Sequence, residues 1–224
     1  MRIYSKHQAS FLPWVGFWQK VANSDVFEVS IYDDFRKRTW QHHSYIGAPT
    51  APRRWCIPLA AVYSERLKLV DVRVCPMFSE KMLSEFYEQH KADKYFATTF
   101  AVLTALLSSV ERLNQLWLIN LSLIEQTKHY LEISTPIIIG PERRGRDISE
   151  VIATQCKQAE CGRYLSGPHG RKYLQSEEFS DRDLDVQFQD SSQIYPHYKH
   201  SVFSTISMYG IKKTRDLIYD LRTN

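Results

Sequence analysis

A strand, a turn, a helix and a second strand follow one another within the first thirty-two residues, and that order confines the chain to folds mixing helices with a sheet. Residues 2–6 read as a strand that delivers His7 and Gln8 into a Phe11-Leu12-Pro13-Trp14 turn. Residues 15–22, Val-Gly-Phe-Trp-Gln-Lys-Val-Ala, read as a short helix with Phe17, Trp18 and Val21 on one face. Pro13 suits the approach to a helix N-terminus. After Ser24-Asp25, residues 26–32 carry Val, Phe, Val, Ile and Tyr, which favour a pleated strand. Polar groups fit for chemistry thus stand at strand mouths beside aromatic rings, where α/β proteins place their sites.

The rest of the chain extends this pattern. Trp40–Ile46, Trp55–Ala61 and Leu67–Val74 read as further strands, separated by the Gly- and Pro-rich segment 47–52. From about residue 79 to 132 the apolar period becomes helical. Three helices are expected there: one opening at Ser79 as its cap, one over about Ala92–Ser108, and one over Val110–Leu131. Asn114 and Asn120 lie near the face of the third and read first as structural polar groups. The last third alternates again: strands at 135–139, Arg163–Ser166 and Asp185–Gln189, helices at Ile148–Glu160 (capped by Asp147) and Ile211–Leu221. The expectation is one α/β domain over residues 1–224. Its mixed sheet comes from the N- and C-terminal thirds and carries a helical insertion, an arrangement preferred over a doubly wound sheet.

Composition removes several function classes. The net charge of +4 comes from 29 basic and 25 acidic residues. The basic clusters Arg36-Lys37-Arg38, Arg53-Arg54, Arg143-Arg144 with Arg146, and Lys212-Lys213 are dispersed, which argues against a nucleic-acid footprint. The longest apolar run, Phe100–Leu107, is too short to span a bilayer. Four scattered cysteines with no export signal read as reduced thiols of a cytoplasmic protein. Cys156 and Cys161 do not have zinc-knuckle spacing, and His42-His43, adjacent on a strand, point to opposite faces, so neither a metal nor a cofactor is expected.

His7 is the first candidate for proton transfer, with Asp25 to orient it if the two strands are neighbours; Asp25 equally suits a turn cap. Gln8 is a candidate amide donor. The segment Tyr164-Leu165-Ser166-Gly167-Pro168-His169-Gly170 is a second candidate, because its glycines allow close backbone approach and loop N–H groups bind anions. Ser166, Cys56 and Cys161 are nucleophiles on paper, with packing as the plainer role.

These two segments together resemble the WbqC-like family. The resemblance rests on His7-Gln8, Phe11-Leu12-Pro13-Trp14, Gly16, Lys20, Ser24-Asp25, Phe35, Lys37 and Trp40, then on Tyr164-Leu165-Ser166-Gly167, Gly170 and Tyr173-Leu174, with a weaker match at Tyr195-Pro196-His197-Tyr198. Ala9 departs from the family's proline, and His42-His43 from its Asn-Arg pair, which removes a bidentate grip on an anion. The resemblance implies an enzyme associated with surface-polysaccharide (O-antigen-type) gene clusters that acts on an activated sugar or related metabolite, with acyl or aminoacyl transfer as the chemistry. It implies His7 as general base oriented by Asp25. It implies a substrate held by Gln8, Trp14, Lys37, Trp40, Ser166, Gly167, Gly170 and Tyr173. The competing readings are a sugar- or nucleotide-binding accessory protein and a Cys- or Ser-dependent hydrolase. The partner expected is a small molecule; the oligomeric state is not legible.

Overall fold

The structure is a computed structural model, and it describes residues 1–37, 39–61, 67–142, 147–190 and 199–219. The motif Tyr195–Tyr198 and the basic residues Arg38, Arg143, Arg144 and Arg146 lie outside the described residues.

The opening unit forms as its pattern dictates. Strand β1 (Ile3–Gln8) leads through a turn into helix α1 (Val15–Ala22) and strand β2 (Val26–Ser30), which pairs with β1 in parallel. Every residue of α1 is buried, not only the Phe17-Trp18-Val21 face, and every residue of β2 is buried on both faces. Such burial fits a central strand of a parallel sheet. In the turn, Leu12 holds a left-handed φ of 39° while fully buried. A branched side chain adopts that conformation at a cost of about 1–2 kcal/mol, so surrounding contacts must enforce it.

The chain then leaves the sheet for the helical insertion. An antiparallel hairpin, β3 (His43–Ile46) and β4 (Arg53–Cys56), precedes helices α2 (Phe78–His90), α3 (Phe96–Val110) and α4 (Leu116–Tyr130). The expected strand Leu67–Val74 is a single 3₁₀ turn, Leu69–Asp71, flanked by isolated bridges. Ser79 is not the α2 cap: the helix starts at Phe78, and the Ser79 N–H donates to Glu111 Oε2. The insertion returns as β5 (Ile137–Ile139), followed by α5 (Ile148–Gln158) and β6 (Arg163–Ser166). Asp147 caps α5 as expected, accepting from the Ser149 N–H at 2.7 Å. A short α6 (Glu177–Ser180), strand β7 (Asp185–Phe188) and helices α7 (Val202–Tyr209) and α8 (Ile211–Tyr219) complete the described chain.

The α/β class and the helical middle third hold, but the mixing of strand directions lies between two sheets. The main sheet has the order β5-β2-β1-β6-β7 with every neighbouring pair parallel, and the antiparallel hairpin stands apart from it. The sheet is also doubly wound, against the sequence-level preference. From β1 the chain steps outward through β2 to β5, then crosses back to β6 and outward again to β7. Phe27 and Val29 pack with α1 and the insertion in the larger apolar cluster, which runs from Phe17 through Trp55 and Phe86 to Leu123. Tyr4, Val26 and Tyr164 pack with α5 in a second cluster on the other face. The reversal of strand order therefore falls between β1 and β6. Doubly wound sheets open a crevice at the carboxyl ends of the strands at such a point.

Candidate functional site

β1 and β6 pair only from Ile3–Arg163 to Ser5–Leu165. Beyond Ser5 the strands part, although β1 stays paired with β2 through Gln8–Ser30. Backbone alternation then sets which way each group points. The Ile3 carbonyl faces β2, accepting from Asp25 N–H, and the Arg2 carbonyl faces β6, accepting from Arg163 N–H. Lys6, like Arg2, turns its carbonyl toward β6 just where β6 has moved away. The amine of Lys20, on the last turn of α1, takes that carbonyl at 2.6 Å.

A cavity of about 500 Å³ opens at this parting. Its wall includes Lys6, His7 and Gln8 from β1, Trp14, Phe17 and Lys20 around α1, and Tyr164, Gly167, Gly170 and Tyr173 around β6. The insertion and α7 hold the loop between β1 and α1 in place. Phe11 N–H bonds the Trp40 carbonyl, Val202 N–H bonds the Pro13 carbonyl, and Ser44 Oγ bonds the Leu12 carbonyl. Asn120 Nδ2 donates to the carbonyls of Ala9 and Gln41, a structural role as expected.

His7 is seated in an aromatic cage, edge-on to Trp14 at 5.3 Å and to Phe17 at 5.4 Å. Its Nδ1 lies 3.0 Å from the Gln8 carbonyl. A carbonyl only accepts, so Nδ1 carries the proton and Nε2 keeps its lone pair, with the residue on the cavity wall. Burial, reinforced by the neighbouring Lys20 charge, pushes His7 down to about 3. The ring is neutral at pH 7 and a weak base.

Lys20 was only one matching residue of the opening motif, and the structure makes it the chemically exceptional group. It is 4% exposed, and burial alone lowers its amine from 10.5 to about 7, with no carboxylate of the described residues offsetting the shift. A buried ammonium without an acid is costly, so the uncharged amine becomes accessible at neutral pH. Its Nζ also stands 5.8 Å from the Tyr164 ring centroid.

Gln189, just after β7, is a further residue that sequence reasoning did not single out. Its Nε2 donates to the Gly16 carbonyl at 2.8 Å and to Gln19 Oε1 at 3.0 Å, while Gln19 Nε2 donates to the Leu217 carbonyl at 2.8 Å. The two carbonyls fix both amide orientations, and Gln189 lines the cavity.

The remaining expectations divide. Gln8, Trp14, Trp40, Gly167, Gly170 and Tyr173 line the cavity with His7. Trp14 and Trp40 pack against each other at a tilt with ring centroids 4.4 Å apart, and Trp40 stacks on His43, so these rings build a wall instead of offering two open faces. Tyr173 is 53% exposed at the rim. Gly170 N–H bonds the Gly167 carbonyl inside its own turn, and a Cβ at Gly170 would sit 2.0 Å from Ser166 Oγ, so this glycine serves close packing. Ser166 is buried with its hydroxyl donating to the Gly167 carbonyl.

Asp25 and Lys37 are not brought to the site. Asp25 stands opposite Ile3, at the amino end of the sheet, where its Oδ2 accepts from the Ile3 N–H at 2.7 Å. Its partner strand pairs Val29 with His7, four residues further on, a separation of about 13 Å along the strand. Asp25 is thus a backbone cap, and no His7–Asp25 pair forms. Lys37 is exposed, and its carbonyl accepts from Arg54 Nη2. No cysteine among the described residues lines the cavity, and burial raises the thiols of Cys56 and Cys161 and carries Cys156 up to about 12. Protonated thiols are poor nucleophiles, which counts against a thiol hydrolase.

Residues 8–208 match the WbqC-like protein family. An uncharacterized protein of Mycobacterium tuberculosis is 26% identical over 187 residues, covering 82% of this chain and 80% of its own length. No solved structure matches. Among the described residues no helix is long and apolar enough to cross a membrane.

Proposed function

The chain belongs to the WbqC-like protein family, and from that premise we propose that it is a cytoplasmic group-transfer enzyme of surface-polysaccharide biosynthesis. In this reading it moves an acyl or aminoacyl group onto the amine or hydroxyl of an activated sugar or related metabolite held in the cavity between β1 and β6. The observation that carries the proposal is Lys20: a buried amine on the cavity wall, lowered to about 7 and without a carboxylate partner among the described residues. A general base works best with its pKa near the working pH, and Lys20 meets that condition where His7, at about 3, does not. Uncharged Lys20 takes the proton from the acceptor group. Neutral His7 presents Nε2 as a fixed hydrogen-bond acceptor, and the Gln8 amide serves as donor to the oxyanion that forms on the acyl carbon.

The test is a mass spectrum of surface glycan and soluble sugar nucleotides from a strain lacking the gene, and from that strain carrying the wild type or Lys20→Met. A mass difference restored by wild type and not by Lys20→Met supports the proposal and names the transferred group. Restoration by both proteins would leave the cavity a binding site without proton transfer, and no difference between any of the strains would break the link to surface glycan.

A further inference from the structure

We propose that the Lys20 amine is also a covalent acceptor for carbonyl compounds, so that the cavity binds an aldehyde or ketone group as an imine. The inference rests on reading this cavity as a small-molecule site and goes beyond proton transfer.

Four features carry it. The amine lies on the wall of a cavity of about 500 Å³, ample for a small carbonyl compound. Its contact with the Lys6 carbonyl at 2.6 Å commits one N–H and anchors the nitrogen at the crevice, leaving the rest of its valence for a ligand. The adjacent Lys6 is neutralised by Glu28, to which it is ion-paired, and it also donates to Gln155 Oε1 at 3.0 Å, so the two lysines do not compete for one role. His7 lies close enough for the Lys20 charge to affect it, and with its Nδ1 bonded to the Gln8 carbonyl the neutral ring adds no second positive charge beside the amine. A lysine desolvated in a pocket is one of the forms of activated nucleophile that covalent catalysis uses.

The step balances with one proton drawn from solvent. Uncharged Nζ attacks the carbonyl carbon and forms a C–N bond, and one proton that the nitrogen sheds passes to the carbinolamine oxygen. The C–O bond then breaks as its oxygen takes a second proton from solvent, so water leaves and a protonated C=N bond remains. The Tyr164 ring, 5.8 Å from Nζ, faces the positive charge of the protonated imine.

The experiment uses the whole protein with glyoxylate as the probe and cyanoborohydride to reduce the imine, followed by peptide mapping. At pH 7.5 an ordinary lysine is about 0.1% uncharged, so a selective site is expected to react about a hundred-fold faster than surface lysines. A parallel sample is pulsed with acetic anhydride, which reports the free amine without asking for an imine. Trapping concentrated at Lys20, and absent there in Lys20→Arg, supports the proposal. Rapid acetylation of Lys20 without selective trapping overturns the imine and leaves the base role standing. Neither reaction at Lys20 overturns both. Because the sites are mapped in the wild-type protein, the outcome does not depend on a variant folding.

Discussion

Two buried lysines meet at a single carbonyl, and the chain treats them in opposite ways. Lys6 points to the α5 face of the sheet, where β2 supplies Glu28 directly across the register and Tyr4 donates to the same carboxylate at 2.5 Å. Lys20 reaches the crevice from α1, bonded to the Lys6 carbonyl and paired with no acid among the described residues. The first is a neutralised strut between two central strands. The second bears the whole cost of burial. A desolvated cation that structure leaves uncompensated marks a functional group more clearly than a paired one.

The sharpest way to break this comparison is to remove each amine. Lys20→Met is expected to lower turnover by about 10²–10⁴-fold while leaving folding intact, read by product mass and a urea titration. Removing the acid on the other side does the reverse. Glu28→Gln strands the Lys6 charge and should destabilise the fold by about 3–5 kcal/mol, whereas adding Lys6→Met to it should restore most of the loss. A double variant no more stable than the single one would show that the pair is not what holds these strands.

pH separates the two lysines further. The folded state holds Lys20 near 7 against 10.5 when exposed, so between these values the unfolded chain binds more protons and stability rises with pH. The cost is full below about 7 and relieved as pH climbs toward 10.5. Stability curves of wild type and Lys20→Met should therefore converge with rising pH across that window, and kcat/KM of the wild type should rise through about 7. Parallel stability curves would show that Lys20 is charged in the fold.

The smallest effects are expected where the sequence-level candidates stand outside the cavity. Asp25→Ala removes one cap on the Ile3 N–H and should cost about 1 kcal/mol of stability with turnover per folded molecule unchanged. Lys37→Ala, at an exposed position, should change stability by no more than about 0.5 kcal/mol and leave turnover alone.

Much of the scaffold was legible because its signals are local. The alternation before His7, the β-branched run after Asp25 and the Asp147 cap act through neighbours in the chain, and each element formed close to its expected place. Leu67–Val74 misled because β-branched residues also suit isolated bridges around a turn, and only the packing partner decides between them. His7, Gln8 and the Gly167–Gly170 turn were legible as cavity residues because strand ends are recognisable from pattern. Gln189 was not, since a glutamine after a short strand looks like any solvated residue until its amide is seen locked by Gly16 and Gln19.

The sequence by itself therefore determined the α/β character, the helical middle and the family, all of which depend on patterns within short stretches of chain. Only the tertiary structure decided where β1 and β6 part, that Asp25 lies at the far end of the sheet, and which lysine is paired. The physical reason is that charge cost depends on what surrounds a group in space. A lysine on an eight-residue helix reads as solvated until the fold buries it at a crevice where no carboxylate of the described residues pairs with it.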